Sequence, residues 1–316
     1  MKTSSSSRVH VITLYLLLAT AVFFLLNFYV QVEESKNQQT DKYPQNYQII
    51  TPPVPESIEI FGEEVPLEDI DVRERLEREI IVNTYWHSNT ILILKRAKRW
   101  FPIIEPILEK NDIPDDFKYI SVIESNLDNV VSPAGATGFW QFVKGTAPKY
   151  NLEIRNEVDE RYHLEKSTQA ACDYLREAYD KFGSWATAAA SYNMGINGVA
   201  KQIERQKTSN YFNFILNDET SRYLFRAIAI KIIMNNPELY GFSIEEFEKY
   251  KPYETYEVEV KSDIKDLALW AKDKEINYKW LKILNPWLRD NTLNVPAGKI
   301  YKIKLPERGS IYIIPD

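Results

Sequence analysis

Cysteine and histidine are scarce: Cys172 is the single cysteine in 316 residues, and the three histidines, His10, His87 and His163, lie far apart. A lone thiol makes no internal disulfide, and neither residue type is clustered enough for a Cys- or His-rich metal site, so no metal or cofactor is expected, although composition alone leaves an all-carboxylate site open. Positive charge is also short. Lys and Arg number 39 against 45 Asp and Glu, a net charge of -6, with no basic stripe, which removes the electrostatic footprint of a nucleic-acid binder. No repeat period stands out, so solenoid architectures drop away. What remains is an apolar fraction of 44% and a length that holds one sizeable domain and a small one.

Charge is absent altogether from "VHVITLYLLLATAVFFLLNFYV", Val9 to Val30. The run is long enough to cross a bilayer as a single helix. Lys2 and Arg8 precede it and Glu33 and Glu34 follow it. The positive-inside tendency therefore puts residues 1–8 in the cytoplasm, a transmembrane anchor at 9–30, and the rest beyond the inner membrane, in the periplasm of a cell with an outer envelope. A cleaved signal is the alternative, with Ala19-Thr20-Ala21 as its small-residue site, but Val22 to Leu26 are too apolar for a typical mature N-terminus. No cysteine is near, which excludes a lipoprotein anchor.

Residues 31–70 turn to Gln, Asn, Asp, Pro and Glu, with "TPPVPES" as a stiff piece, and read as a linker. Within it "IEIFGEEVPL" either forms a hairpin about Gly62 or lies on the next domain. Residues 71–248 carry helical spacing almost throughout, with helices expected at 72–98, 101–110, 114–124, 185–192 and 219–235. A further helix in "STQAACDYLREAYDKFG" has Ser167 as N-cap and Gly183 just past its end. Residues 255–306 read strand, helix, helix, strand, a small α+β module. A chain ending near Tyr250 is expected to keep its core, because the helical domain has apolar faces of its own.

One carboxylate is oddly placed. Pro114 suits the first position of a helix on which Phe117, Ile120 and Glu124 share a face, so the acid ends the stripe that packs inward. Burial raises a carboxyl pKa and keeps the proton available, as a general acid requires. A Glu at a helix end that turns out to water or caps a neighbouring backbone group fits the same spacing. The next residues favour chemistry: Ser132-Pro133-Ala134-Gly135-Ala136 has little bulk, Gly138-Phe139-Trp140-Gln141 adds aromatic surface and an amide, and Tyr192-Asn193 closes an Ala-rich helix before Gly195. Each of these also has a reading as core, cap or turn.

Taken in order, Glu124-Ser125, Ser-Pro-Ala-Gly-Ala, Gly-Phe-Trp-Gln and Ser-Tyr-Asn resemble the catalytic domain of the lytic murein transglycosylases of the lysozyme-like superfamily, nearest to the membrane-bound D-type branch. "KRWFPIIEPILEKNDIPDDFKYI", "VDERYHLEKSTQAACDYL" and "ETSRYLFRAIAIK" support the likeness, which spans Ile81 to Phe242. Phe139-Trp140 replaces the family's common Leu-Met, and Ser191 its usual Ala. The resemblance implies a mainly α, lysozyme-like catalytic domain acting on peptidoglycan glycan strands. It implies that Glu124 protonates the glycosidic oxygen between N-acetylmuramic acid and N-acetylglucosamine, then as carboxylate takes the proton of the sugar's own 6-hydroxyl, closing a 1,6-anhydro ring. Ser125, by the same likeness, supports the glutamate, and Ser132, Gln141, Tyr192, Asn193 and Tyr223 line the sugar cleft.

The tail resembles a LysM peptidoglycan-binding module through "LKILNPWL" and "KIYKIKLP", with Lys261-Ser262-Asp263 departing from the usual first loop; a domain that only packs against the catalytic unit is the alternative. Two other readings stay open: a goose-type lysozyme hydrolysing the same bond, for which Asp128 is the obvious candidate second acid although its polar loop, Leu-Asp-Asn, favours a solvated or capping role, and a non-catalytic wall-binding scaffold.

Overall fold

The structure is a computed structural model that describes residues 15, 18–29 and 49–310. Two compact units divide the chain, Met1–Thr51 and Pro52–Asp316. In the first, residues 18–29 form a helix, α1, with exposed side chains that include Phe23, Phe24, Leu25 and Leu26. The anchor expected at 9–30 falls partly outside the described residues, and among those described no helix is long and apolar enough to cross a membrane. Residues 31–48 of the expected linker also lie outside the described residues.

The second unit opens with an antiparallel hairpin, β1 (Glu59–Ile60) and β2 (Glu63–Glu64). Phe61 and Gly62 make its two-residue turn with φ of 58° and 79°, the left-handed pair that matches strand twist. Ile60, Phe61, Val65 and Leu67 are buried in the main core, and the Phe61 ring stacks on Phe117 at 4.0 Å. This part of the expected linker is therefore domain, and both open readings of the segment hold, since the hairpin forms and also packs.

The helices are α2 (Ile70–Tyr85), α3 (His87–Lys110), α4 (Lys118–Ser125), α5 (Leu164–Phe182), α6 (Trp185–Met194), α7 (Ile196–Gln206) and α8 (Asp218–Asn235). Asp69 starts α2 by accepting from the N–H groups of Asp71 and Val72. The stretch expected as one helix over 72–98 breaks at Trp86, where φ and ψ are -85° and 58°. The expected break before Phe101 is missing: α3 runs on through Pro102 and Pro106. Both prolines sit on its exposed side, where the carbonyls they deprive of a donor meet water. Ser167 is not the cap of α5 but lies inside it, its hydroxyl donating to the Leu164 carbonyl, while Gly183 ends the helix at φ 70° as expected. Sequence reading missed α7, which starts at the same Gly195 that ends α6. At the centre is α8, buried almost continuously from Tyr223 to Ile233 and packed against α2, α4 and α6.

The C-terminal module follows the expected order: β3 (Thr255–Val260), α9 (Leu267–Asp273), α10 (Tyr278–Leu284) and β4 (Tyr301–Pro306). β3 and β4 pair antiparallel with Val258 opposite Ile303. Its core of Leu267, Ala271, Leu281, Leu288, Leu293, Ile303 and Leu305 takes in a residue from far upstream, the fully buried Val158. That residue bridges to Leu288, the N–H of Asp159 donates to the Trp287 carbonyl at 2.9 Å, and that of Arg289 donates to the Glu157 carbonyl at 2.7 Å. Side chains add Arg155 to Tyr301 at 3.1 Å, the Tyr301 hydroxyl to Glu153 at 2.8 Å, and Lys304 to Glu165. The module is thus docked through one continuous upstream segment, 153–165.

Candidate active site

Glu124 sits in the last turn of α4, and the inward stripe leading to it, Phe117 in the 3-10 turn just before the helix and Ile120 within it, is fully buried as its spacing predicts. Asn126 and Leu127 follow with φ of 53° and 56°, turning the chain away so that the half-buried carboxylate stands at the helix end. The hydroxyl of Tyr223, on α8, donates to Glu124 Oε1 at 2.5 Å. Arg226, one turn further along α8, donates to the Ile123 carbonyl at 2.8 Å. Burial pushes the Glu124 carboxyl up to about 7, against the pull of the Tyr223 hydrogen bond and the Arg226 charge, and the Glu219 carboxylate adds to the rise. Burial, then the neighbouring Glu124, drive the Tyr223 hydroxyl well above its ordinary range, so it stays a proton donor in the hydrogen bond.

The remaining expected residues separate into two groups. Tyr192 and Asn193 end α6; the Tyr192 hydroxyl donates to the Trp140 carbonyl at 2.8 Å, and Asn193 is held by Thr220 at 2.7 Å and Glu219 at 3.2 Å. Glu63 of the hairpin fixes the start of this helix by accepting from the N–H of Trp185 at 2.5 Å and the hydroxyl of Ser184 at 2.9 Å. Ser125, Ser132 and Gln141, like Tyr192, use their polar atoms on backbone. The buried Ser125 hydroxyl lies 3.0 Å from the carbonyls of Ser121 and Phe139, Ser132 Oγ accepts from the Ala136 N–H at 3.1 Å, and the Gln141 amide donates to Gly138 at 2.7 Å and Val130 at 3.1 Å. These three shape the loop beside the acid. Asp128 is exposed and paired with Arg96 at 2.9 Å.

Two groups near the acid escaped sequence reading. Glu219 and Arg226 lie four before and three after Tyr223 on α8, so the three share a helix face, and that spacing in "ETSRYLFRAIAIK" was the available signal. No group of three or more His, Cys, Asp or Glu among the described residues could hold a metal ion.

Residues 101–215 match the family Transglycosylase SLT domain, and residues 256–309 match the family Soluble lytic transglycosylase C-terminal LysM-like domain. Residues 101–215 are thus similar to an SLT domain. The match includes Glu124 and every expected cleft residue except Tyr223, which α8 brings in from beyond it. The chain is 26% identical over 257 residues to membrane-bound lytic murein transglycosylase D of Escherichia coli, covering 78% of this chain and 55% of that protein. It is 28% identical over 114 residues to a putative tributyltin chloride resistance protein of an Alteromonas species, covering 35% of this chain and 55% of the other. The chain thus spans about half the length of the curated relatives it matches. An X-ray structure of an inactive mutant of lytic transglycosylase Slt from Pseudomonas aeruginosa aligns at 16% identity over 48% of this chain and 26% of that one, with a TM-score of 0.35, too low to carry an argument.

The contact between Tyr223 and Glu124 makes a specific prediction. A hydroxyl donated to the carboxylate favours its ionised form, so Tyr223→Phe should let the carboxyl rise further and move the alkaline limb of the pH profile up by about one pH unit. A pH series of kcat/KM measures this, and an unmoved limb would remove Tyr223 from the machinery.

Proposed function

We propose that the chain is a peptidoglycan lytic transglycosylase, cleaving the β-1,4 bond between N-acetylmuramic acid and N-acetylglucosamine and leaving a 1,6-anhydromuramic acid end. The observation that carries this reading is the Glu124 carboxylate hydrogen-bonded by Tyr223 at the end of a helix whose other inward residues are core, a setting in which burial pushes the carboxyl up to about 7. Near neutrality such a group is part protonated and part ionised, so one residue can give a proton to the leaving oxygen and then accept one from the 6-hydroxyl. The second step needs no water, because the nucleophile belongs to the sugar just cleaved and is already positioned.

Hydrolysis of the same bond requires a second carboxylate to activate water. Glu219 favours keeping that reading as the alternative, since it acts electrostatically on Glu124 whereas Asp128 is committed to Arg96. Mass analysis of fragments released from cell-wall sacculi separates the two: anhydro ends lack one water, and reducing ends throughout would replace the lyase with a lysozyme.

We further propose that the chain is held at the inner membrane by residues 9–30 with its catalytic part, about 71–248, and its module, about 255–306, in the periplasm. The charge-free run, the Lys2 and Arg8 bias and the exposed apolar side chains of α1 support this. Fractionation of cells should find the protein with membranes, and a mature N-terminus at Val22 would make the segment a cleaved signal.

A further inference from the structure

The loop 126–142 beside the acid has left-handed backbone at Asn126, Leu127, Gly135, Gly138 and Gln141, yet most of the side chains that hold it come from outside it. Side chains engage seven of its carbonyls: Asn126 by Arg96, Val130 and Gly138 by Gln141, Phe139 by Ser125, Trp140 by Tyr192, and both Gly135 and Phe142 by one side chain, Arg161. Arg161 Nη1 lies 3.0 Å from the Gly135 oxygen and 3.2 Å from that of Phe142, so it clamps the two arms of the loop together. Its other two nitrogens are taken by Asp159, Nε to Oδ1 at 2.9 Å and Nη2 to Oδ2 at 2.7 Å. Both residues are buried, at 8% and 7% exposure. The backbone joins in: a Cβ on Gly138 would come within 2.0 Å of the Arg161 carbonyl oxygen, so the loop sits flush on this turn only because position 138 has no side chain and a φ of 83°.

The same short turn faces the module on its other side. Asp159, which orients the guanidinium, donates its N–H to the Trp287 carbonyl, and its neighbour Val158 is buried in the module's core. A buried ion pair is costly unless every donor and acceptor is used, and here all three guanidinium nitrogens are. Lysine has no planar fork and cannot make the set.

We propose that Arg161 is a positioning residue for the cleft loop, and that the C-terminal module, through Val158 and Asp159, keeps Arg161 in place and so forms part of the cleft's support. The inference rests on the cleft assignment made under the proposed function, and its test has one arm that does not.

That arm is hydrogen exchange of full-length Arg161→Met and Val158→Ala beside the unaltered protein. In Arg161→Met the amides of residues 136–142 should exchange at least about tenfold faster, as loss of charged hydrogen bonds to two carbonyls implies, with α5 and α8 unchanged. Val158→Ala, altered only in the module's core, should speed the same amides by a smaller factor. Loop exchange unchanged in Arg161→Met, or a uniform rise across all helices, would overturn the positioning role; an unchanged loop in Val158→Ala would overturn the module's share in it.

The kinetic arm uses soluble glycan strands. KM in Arg161→Met should rise about tenfold while kcat changes by less than about threefold, and Arg161→Lys should recover part of that loss. The alkaline limb near pH 7 should stay, because Tyr223 and Glu124 sit on other elements. A fall in kcat alone, with KM unaltered, would mean only a loss of folded protein and overturn the proposal. Absence of turnover in the unaltered protein, with loop exchange behaving as stated, would overturn the functional reading and support the positioning role.

Discussion

Glu124→Gln should lower turnover on glycan strands by about 10³-fold, because the amide keeps the shape of a carboxylic acid but can neither give nor take a proton. Retention of more than a few per cent of the unaltered activity would remove Glu124 from the role. The same substitution has a second readout in stability. With its carboxyl raised to about 7 in the fold, Glu124 binds its proton more tightly folded than unfolded. Its contribution is therefore fully present below the unfolded pKa near 4.5 and is lost as pH rises through about 7. Glutamine carries no such dependence. At pH 8 the variant should be the more stable protein, by an amount on the order of 3 kcal/mol, and this advantage should shrink steadily toward pH 5. Thermal melts across that range check it, and a pH-independent difference would mean an ordinary carboxyl. A residue that depresses stability at the pH where its chemistry runs is the expected mark of a functional site rather than a packing choice.

How far the sequence carries can be judged residue by residue. The inward aim of Glu124 was legible because Phe117, Ile120 and Glu124 obey helical spacing, and a local period survives without knowledge of the fold. The module was legible for the same reason, as alternation at Tyr256, Val258 and Val260 is a local property. Partners across the fold were not. Nothing in the order of residues says that Gln141 takes a left-handed conformation at φ 48°, which turns its amide back on Gly138 and Val130. Trp86 gives no breaker signal, yet α2 and α3 part there, because packing rather than propensity sets that corner. The hairpin at 59–64 was half legible: Gly62 marked a turn, but only the fold shows Phe61 against Phe117. Arg161 stood in a stretch quoted for family likeness without a role of its own, since its partners Gly135 and Phe142 lie far back in the chain.

Removing the module carries the second large effect. Sequence composition makes "EKYKPYE" a boundary and the tail a separable aid to wall binding, for which a chain ending at Tyr250 would lose rate on intact sacculi and keep it on short soluble strands. The packing predicts otherwise. Such a chain exposes Val158, strips the Asp159 N–H and the Glu157 carbonyl of their partners, leaves the Glu153 carboxylate without Tyr301 and Lys299, and takes Tyr253 from Arg99. Burial of one valine contributes about 1.5 kcal/mol and each hydrogen bond about 1 kcal/mol, so the loss is roughly 5 kcal/mol, a large share of a domain's stability. It falls on the segment that carries Asp159 and Arg161, next to the cleft loop. The truncated chain should therefore melt at markedly lower temperature than the full one, and its rates on soluble strands and on sacculi should fall together. Parallel melts and assays on the two substrates decide the matter: an unchanged melt with loss confined to sacculi would return the module to the role of a tether, independent of the site it adjoins.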